Sequence, residues 1–261
     1  MSGVTSHSSK ETGITLDISG PDTEITVVLV HGSLDRSAGM ARVAREIQRS
    51  VRTIRYDRRG YARSSHLPSP FTVQQHIDDL VHIIGGRQVI LVGHSFGGNV
   101  ALGATQQLPG QVLGVTTYET PLSWMSWWSG QSAGAAAVAS DAGNAAENFM
   151  IRLIGHRRWD SLPEKTKADR RKEGPTLTAE LSSLREGPPW DPTSIHCPVI
   201  AGVGTKAAPH HRRGAEWIAE HIPNARLAVL DDAGHGAPVS HSRLFVDLLV
   251  RPHLERNGIT S

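Results

Sequence analysis

Apolar residues in the first half of the chain form short, almost continuous runs, separated by segments with helical spacing. The runs 25–30 and 89–92 are bounded by polar or glycine-containing segments. Such runs are typical of strands that are buried on both faces. Between them, apolar residues recur every three to four positions after Thr72. This pattern predicts a helix that begins at Thr72, whose hydroxyl can cap the first turn.

The same alternation continues through most of the chain. Strands that alternate with helices predict a mostly parallel sheet with helices on both faces, here an α/β fold with eight strands. The remaining strands are expected at 51–56, 112–118, 198–203 and 226–230, after an N-terminal hairpin of 4–9 with 14–19, and the remaining helices at 40–48, 99–108, 211–221 and 242–250.

The alternation stops between residues 121 and 191, a segment that we call the insertion. It is rich in Trp, Ala, Gly and charged residues, with helical stretches at 142–153 and 178–184. We expect the insertion to form a cap over the site, with a mobile lid segment at 129–144. The α/β core would then comprise 13–120 and 192–261, preceded by a flexible tail at 1–12.

Composition narrows the class of protein. The 261 residues carry a formal net charge of only +2 without a basic stripe, so nucleic-acid binding is not indicated. Cys197 is the one cysteine, which excludes an internal disulfide. The polar N-terminus predicts no signal peptide, and no apolar run approaches the ~20 residues of a membrane span. We therefore expect a cytoplasmic protein, and the sequence leaves a homodimer open.

The segment Gly93-His-Ser-Phe-Gly97 follows the predicted strand 89–92 and precedes a predicted helix. A serine bounded by glycines on a strand-to-helix turn is a nucleophile elbow. The turn is strained and lifts the hydroxyl of Ser95 clear of the sheet, while the helix N-terminus favours developing negative charge. We therefore predict Ser95 as the nucleophile.

A serine nucleophile needs a base, because a free hydroxyl reacts poorly near neutral pH. His235 lies in a loop after the last predicted strand, from which its ring can reach Ser95. The chain holds 14 histidines, and we expect most of them, His211 included, to lie at the surface. His94, beside the nucleophile, is expected to be a packed residue. His31, Ser95, Glu119 and His235 all follow predicted strands, where open sheets place their sites.

His31-Gly32, Asp57-x-x-Gly60, Gly93-x-Ser-x-Gly97 and Gly234-His235 together resemble the α/β-hydrolase fold superfamily over residues 14–250. More narrowly, Tyr118-Glu-Thr-Pro121 resembles a group of small bacterial hydrolases. The resemblance implies a catalytic triad of serine, acid and histidine. Asp57 and Gly60 then have structural roles, and Ala62 stands where the family commonly has a second glycine.

The acid of the triad departs from the commonest family pattern. That pattern places an Asp after the seventh strand, but the segment 202–209 contains no acid, and Ala207 stands about where the Asp is expected. Some members of the superfamily carry the acid after the sixth strand, the place of Glu119. We therefore predict Glu119 as the orienting acid. The alternatives are Asp191, Asp231 and Asp232.

The resemblance also places the remaining parts of the site. The oxyanion hole would use the backbone N–H groups of Phe96 and Ser33, or of Leu34 if the loop is shifted by one residue. Half of the six tryptophans follow Glu119 closely. They either line an apolar substrate pocket or pack the cap onto the core. These residues are Trp124, Trp127 and Trp128.

These features predict a serine hydrolase that needs no cofactor or metal and cleaves an ester or thioester of an apolar small molecule. An amidase or a carbon–carbon bond hydrolase would use the same residues. A non-catalytic small-molecule receptor is the alternative from another class, since the usual Asp is missing. The sequence does not favour a metal hydrolase, because it shows no set of His and Asp residues at metal-ligand spacing. The pair His210-His211 is the nearest approach to one.

Overall fold

The computed structural model describes residues 4–9 and 11–260. Its centre is one eight-stranded sheet in the order β1-β2-β4-β3-β5-β6-β7-β8. The strands are β1 (Thr5–Ser8), β2 (Thr15–Ser19), β3 (Ile25–Val30), β4 (Arg52–Tyr56), β5 (Gln88–His94), β6 (Val112–Tyr118), β7 (Val199–Gly204) and β8 (Ala225–Leu230).

The sheet is mostly parallel, because helices connect most of its strands. β3 pairs with β4 and β5 in parallel, and the parallel pairing continues through β6, β7 and β8. The antiparallel pairings are those of the N-terminal hairpin, β1 with β2 and β2 with β4, so that β2 runs against the other strands of the described sheet. The predicted α/β fold class is confirmed.

Helices cover both faces of the sheet. The twelve α-helices of the described residues are α1 (Ala41–Ile47), α2 (Val73–Ile84), α3 (Phe96–Gln107), α4 (Ala133–Val138), α5 (Ala142–Ile154), α6 (His156–Asp160), α7 (Glu164–Lys172), α8 (Gly174–Glu186), α9 (Pro209–His221), α10 (Ala237–Ser240), α11 (Ser242–Phe245) and α12 (Arg251–Arg256). Short 3-10 turns lie at Ser37–Met40, Ala62–Ser64 and Pro192–Ser194, and a π-helical turn lies at Val246–Val250.

Alternate residues of the central strands enter different halves of the core. In β3, Val28 and Val30 pack with α2 and α3, whereas Val27 and Leu29 pack with α1 and the C-terminal helices. Side chains of a strand alternate between the two faces, so a strand that is covered on both faces needs an apolar residue at nearly every position. The continuous apolar runs of the sequence follow from this burial.

The insertion lies between β6 and β7 and contributes α4 to α8. Most of its buried apolar residues, Phe149 and Leu181 among them, belong to the same hydrophobic core as α2 and α3. The insertion is therefore packed on the sheet domain and has no separate core among the described residues. The sequence pattern indicated α5 and α8, and the shorter helices between β6 and α8 went unpredicted.

Two expected boundaries differ from the structure. Thr5–Ser8 lies within the segment expected as a flexible tail, yet it pairs with β2, as the hairpin pattern suggested. Residues 1–3 and 10 of that segment lie outside the described residues. The helix expected at 242–250 is α11 followed by the π-helical turn. No helix within residues 4–9 and 11–260 combines the length and apolar character needed to cross a bilayer.

Candidate active site

Ser95 lies between β5 and α3 on a backbone that few side chains adopt. Its φ is 54° and its ψ is −127°, a strained combination that persists only where the surroundings enforce it. The Ser95 N–H donates to the Tyr118 carbonyl at 2.8 Å. A Cβ atom at Gly97 would overlap the carbonyl oxygens of Val30 and His31. The flanking glycine is thus required by the close approach of α3 to the end of β3.

Glu119 and His235 form a hydrogen-bonded pair beside this turn. His235 Nδ1 lies 2.8 Å from Glu119 Oε2, and the Glu119 side chain is fully buried. The other carboxylate oxygen, Oε1, accepts from the Gly204 N–H at 3.2 Å. Glu119 has a φ of 47°, so the chain turns sharply where β6 ends. These contacts can orient the imidazole and stabilise its protonated form.

The rival acids lie elsewhere. Asp191 caps the 3-10 turn Pro192–Ser194 through the Thr193 N–H. Asp232 forms an ion pair with Lys206, and Asp231 is 3.4 Å from the Thr205 hydroxyl. All three carboxylates are exposed. Among the acids considered from the sequence, Glu119 is the one that the structure places on His235.

Ser95 and His235 line one small cavity of about 50 Å³. The insertion supplies much of the remaining wall, including Trp128, Phe149 and Leu181. A cavity of this size holds about three to five water-sized groups. Typical drug-sized ligands occupy several hundred Å³. The space next to Ser95 therefore fits a group of only a few heavy atoms.

Two backbone amides, one in the cavity wall and one directly after Ser95 in the chain, are without an acceptor in the described part of the chain. Throughout residues 4–9 and 11–260, the structure gives no hydrogen-bond acceptor to the N–H groups of Ser33 and Phe96. Ser33 lines the cavity, and its buried hydroxyl also lacks a partner in the same part of the chain. A Cβ atom at Gly32 would lie 2.9 Å from the Ser95 Cβ. Gly32 therefore allows the loop after β3 to approach the nucleophile.

Two further histidines surround His235. His94 Nε2 bonds to the His235 carbonyl at 2.9 Å, and the His211 ring centre lies 4.8 Å from that of His235. Burial, with a smaller contribution from His235, lowers the pKa of His94 to about 3 and that of His211 well below its ordinary value. Both rings are therefore neutral near pH 7. His211, expected at the surface, is half-buried and lines the cavity, because α9 begins beside the site.

Glu119, His211 and His235 each offer one possible metal ligand, and these atoms lie within 4.8 Å of one another. The sequence showed no such set, because the three residues come from three different strand ends. The 2.8 Å hydrogen bond between Glu119 and His235 already joins two of these groups. A proton shared between an acid and a base explains that contact without a metal ion.

The three tryptophans expected at the substrate pocket do not all line the cavity beside Ser95. Trp128 lines the cavity beside Ser95. Trp124 lies in a different surface pocket and packs on Trp190, and Trp127 lies under the Arg213 guanidinium at 4.4 Å. The rings of Trp127 and Trp128 remain in contact, with centres 6.0 Å apart, whereas Trp124 lies on the other side of the turns between Leu122 and Trp128.

Comparisons with known proteins agree with this architecture. The sequence model of the alpha/beta hydrolase family matches residues 27–248. A search of curated protein sequences gives no match. Among solved structures, a thermophilic esterase from Thermogutta terrifontis is 22% identical, with a TM-score of 0.72 and all of both chains covered.

Two further solved structures have the same fold. The enol-lactonase from Burkholderia xenovorans LB400 is 18% identical, with a TM-score of 0.71 and 93% of this chain and 97% of that chain covered. A hydrolase from Oleispira antarctica is 16% identical, with a TM-score of 0.72 and coverages of 93% and 94%. At these identities, the likeness establishes the fold alone.

Proposed function

The chain belongs to the alpha/beta hydrolase family, and from this premise we propose that it is a serine hydrolase for esters or thioesters of small acyl groups. The observation that carries the proposal is the hydrogen bond between His235 and Glu119 beside the strained Ser95 turn. Nucleophile, base and orienting acid come from three different strand ends that one sheet brings together.

Acylation follows from this arrangement. Glu119 accepts the Nδ1–H of His235, so that Nε2 is left free to take the proton of Ser95 Oγ as the oxygen attacks the acyl carbon. The substrate carbonyl oxygen becomes an oxyanion, to which the N–H groups of Ser33 and Phe96 donate. Each such donor is worth about 3 kcal/mol in the transition state. The imidazolium then gives its proton to the departing alcohol or thiol.

Deacylation repeats the sequence with water. His235 Nε2 takes a proton from water as its oxygen attacks the acyl carbon of the acyl-enzyme. The second oxyanion occupies the same donors, and its collapse returns the proton to Ser95 Oγ. The hydrogen bond from His235 Nδ1 to Glu119 holds the imidazole in place in both steps. No external cofactor is needed, because every proton moves between the substrate, water and the triad.

The size of the cavity supports a short acyl group. An acetyl group has three heavy atoms, which matches the three to five water-sized groups that about 50 Å³ can hold. The apolar wall from Trp128, Phe149 and Leu181 suits the methyl end of such a group. Longer acyl chains would collide with these side chains unless the insertion moves.

The Glu119–His235 contact also weighs against a receptor without catalysis. That alternative drew its support from the missing Asp after β7. Glu119 instead supplies a carboxylate at His235 Nδ1, the nitrogen that such an Asp would contact. An amidase or a carbon–carbon bond hydrolase would employ the same groups, and the leaving group alone distinguishes them.

The test is a hydrolysis panel with p-nitrophenyl acetate, butyrate and octanoate, acetyl thiocholine and acetanilide. We expect turnover of the acetyl ester and thioester, a decline with acyl length, and loss of turnover in Ser95→Ala. Turnover that survives in Ser95→Ala, or a panel without any ester or thioester turnover, would contradict the proposal.

A further inference from the structure

Arg58 is a fully buried charged residue that the proposed triad does not use. Its Nε–H donates to the His31 carbonyl at 3.0 Å, and its Nη2–H donates to the Gly32 carbonyl at 3.1 Å. The Arg58 backbone N–H also donates to His31 Nε2 at 2.9 Å. One arginine thus holds the loop after β3 through three hydrogen bonds.

The charge of Arg58 is balanced by the insertion. Glu180 of α8 accepts from Arg58 Nη1 at 2.7 Å, and both side chains are completely buried. The Tyr61 hydroxyl donates to Glu180 Oε1 at 2.8 Å, and His76 Nε2 lies 3.1 Å from Glu180 Oε2. Burial alone would raise the pKa of Glu180, but Arg58 and His76 together outweigh burial and hold this pKa well below its usual range. Glu180 is therefore ionised.

The contact at Gly32 determines the direction of the Ser33 N–H. The Gly32 carbonyl and the Ser33 N–H belong to the same peptide group, and in a trans peptide they point in opposite directions. The Gly32 carbonyl accepts from Arg58 and from His31 Nδ1, the latter at 2.8 Å. A carbonyl held on that side leaves the Ser33 N–H on the other.

Phe96, whose backbone N–H is the second proposed oxyanion donor, packs its ring against the guanidinium of Arg58. The Arg58 guanidinium carbon lies 4.7 Å from the centre of the Phe96 ring, within the range of a cation–π contact. Arg58 therefore contacts the Gly32–Ser33 peptide group and the side chain of Phe96. These two sites would supply the N–H donors of the oxyanion hole.

We propose that Glu180 and Arg58 are positioning residues, through which the insertion fixes the Gly32–Ser33 peptide with its N–H directed at Ser95. The inference rests on the proposed function, since it concerns how the oxyanion hole of that reaction is held. The insertion then completes the catalytic site in addition to forming a wall of the cavity.

The decisive variant is the double substitution Arg58→Met with Glu180→Leu. Removal of a single partner leaves a buried unpaired charge, whereas an apolar replacement of both partners is often tolerated. The matched control is Arg59→Met with Asp79→Leu. Arg59 is the next residue, and its Nη2 and Nε bond to Asp79 at 2.7 and 2.8 Å. The Arg59 side chain bonds to Asp79 and to the Pro68 carbonyl, and neither of these partners lies in the loop after β3.

For the Arg58–Glu180 double variant, we expect kcat for p-nitrophenyl acetate to fall about 10- to 100-fold with KM within about threefold, since a displaced donor weakens the transition state alone. Phosphonylation of Ser95 by a fluorophosphonate slows to a similar degree. The control pair leaves both rates within about threefold of the wild-type values. A folded double variant with wild-type rates would overturn the proposal.

Hydrogen exchange gives a readout without turnover. We expect the peptide that covers residues 31–35 to exchange faster in the double variant, with the strand at 27–30 unchanged. If the double variant does not fold, Glu180→Gln provides the test, because it keeps the side-chain shape and loses the charge. Unchanged exchange at 31–35 in the folded variant, together with unchanged rates, would refute the positioning role.

These outcomes separate the two claims. A wild-type protein that neither hydrolyses esters nor reacts with the fluorophosphonate would contradict the proposed function, and faster exchange at 31–35 in the variants would still support the hold on the Gly32–Ser33 peptide. A wild-type protein that hydrolyses esters and is insensitive to both substitutions would contradict the positioning role alone.

Discussion

Glu119→Gln tests the assignment of the acid, and the structure determines what the substitution does. The Gly204 N–H donates to Oε1 and therefore requires an oxygen at that position. A glutamine that keeps this bond must direct its NH₂ group at His235 Nδ1. The Nδ1 atom then has to accept a hydrogen bond, which moves the imidazole proton to Nε2. In this tautomer, His235 cannot take the proton of Ser95.

We expect kcat for an acetyl ester to fall by about 10⁴-fold, the usual cost when an amide replaces the orienting carboxylate. This factor corresponds to about 5.5 kcal/mol of transition-state stabilisation. KM should change little, because the ground state keeps its cavity. Steady-state kinetics give both constants, and circular dichroism with thermal unfolding shows whether the fold is preserved.

Asp231→Asn and Asp232→Asn are the matched controls, because both carboxylates lie on the same loop as His235 and are exposed. They should retain turnover within about threefold of the wild-type value, as surface substitutions usually do. A folded Glu119→Gln protein with turnover within about tenfold of wild type would refute the assignment. A large loss in either control would transfer the role to that residue.

Three further predictions concern packing, acyl selectivity and pH. Gly97→Ala should lower the free energy of unfolding by about 3 kcal/mol in denaturant titrations, since its Cβ overlaps the Val30 carbonyl. The control Gly130→Ala, whose Cβ meets nothing within 4 Å, should leave the stability unchanged. Equal stability of both variants would contradict this explanation. Trp128→Ala should raise the octanoate-to-acetate ratio of kcat/KM by about tenfold, and an unchanged ratio would remove Trp128 from the acyl wall. Burial lowers the pKa of His253 from 6.5 to about 4, so the unfolded state binds its proton first as the pH falls. As the pH falls from about 6.5 to about 4, the free energy of unfolding should therefore decrease, by up to about 1.4 kcal/mol per pH unit from this residue. His253→Gln should reduce that slope. An equal slope in the variant would show that His253 is not its source.

The features that the sequence predicts best are those with strong local causes. The strands at 25–30 and 112–118 have the predicted bounds, and burial on both faces explains the nearly continuous apolar run at 25–30. Thr72 caps α2 by accepting from the Gln75 N–H, as its position indicated. The turn at Ser95 is encoded by the glycines that its tight packing requires.

Contacts made by tertiary packing left no comparable signal. In the sheet, β7 lies between β6, which ends before Glu119, and β8, which precedes the His235 loop. Because α9 follows β7, its residue His211 comes into contact with His235. Only the strand order reveals this proximity. Glu180 is one of many acidic residues in a polar segment, and its burial depends on how α8 packs against Arg58.

Ala62 shows how a departure from a family motif can preserve the backbone. It stands where the family commonly has a glycine, and it still adopts a positive φ of 46°. Its N–H donates to Glu173 Oε1 at 2.9 Å, a contact that helps to hold this conformation. The sequence alone indicates a change of residue here, and the structure shows that the turn is retained.

The central claim is that Ser95 is an activated nucleophile with an assembled base and oxyanion hole. The most direct measurement is to treat the folded protein with a small fluorophosphonate and to locate the adduct by mass spectrometry. We expect one adduct, on Ser95, which heat denaturation before treatment and Ser95→Ala both abolish. A folded wild-type protein that carries no adduct on Ser95, or carries it equally after denaturation, would contradict the account.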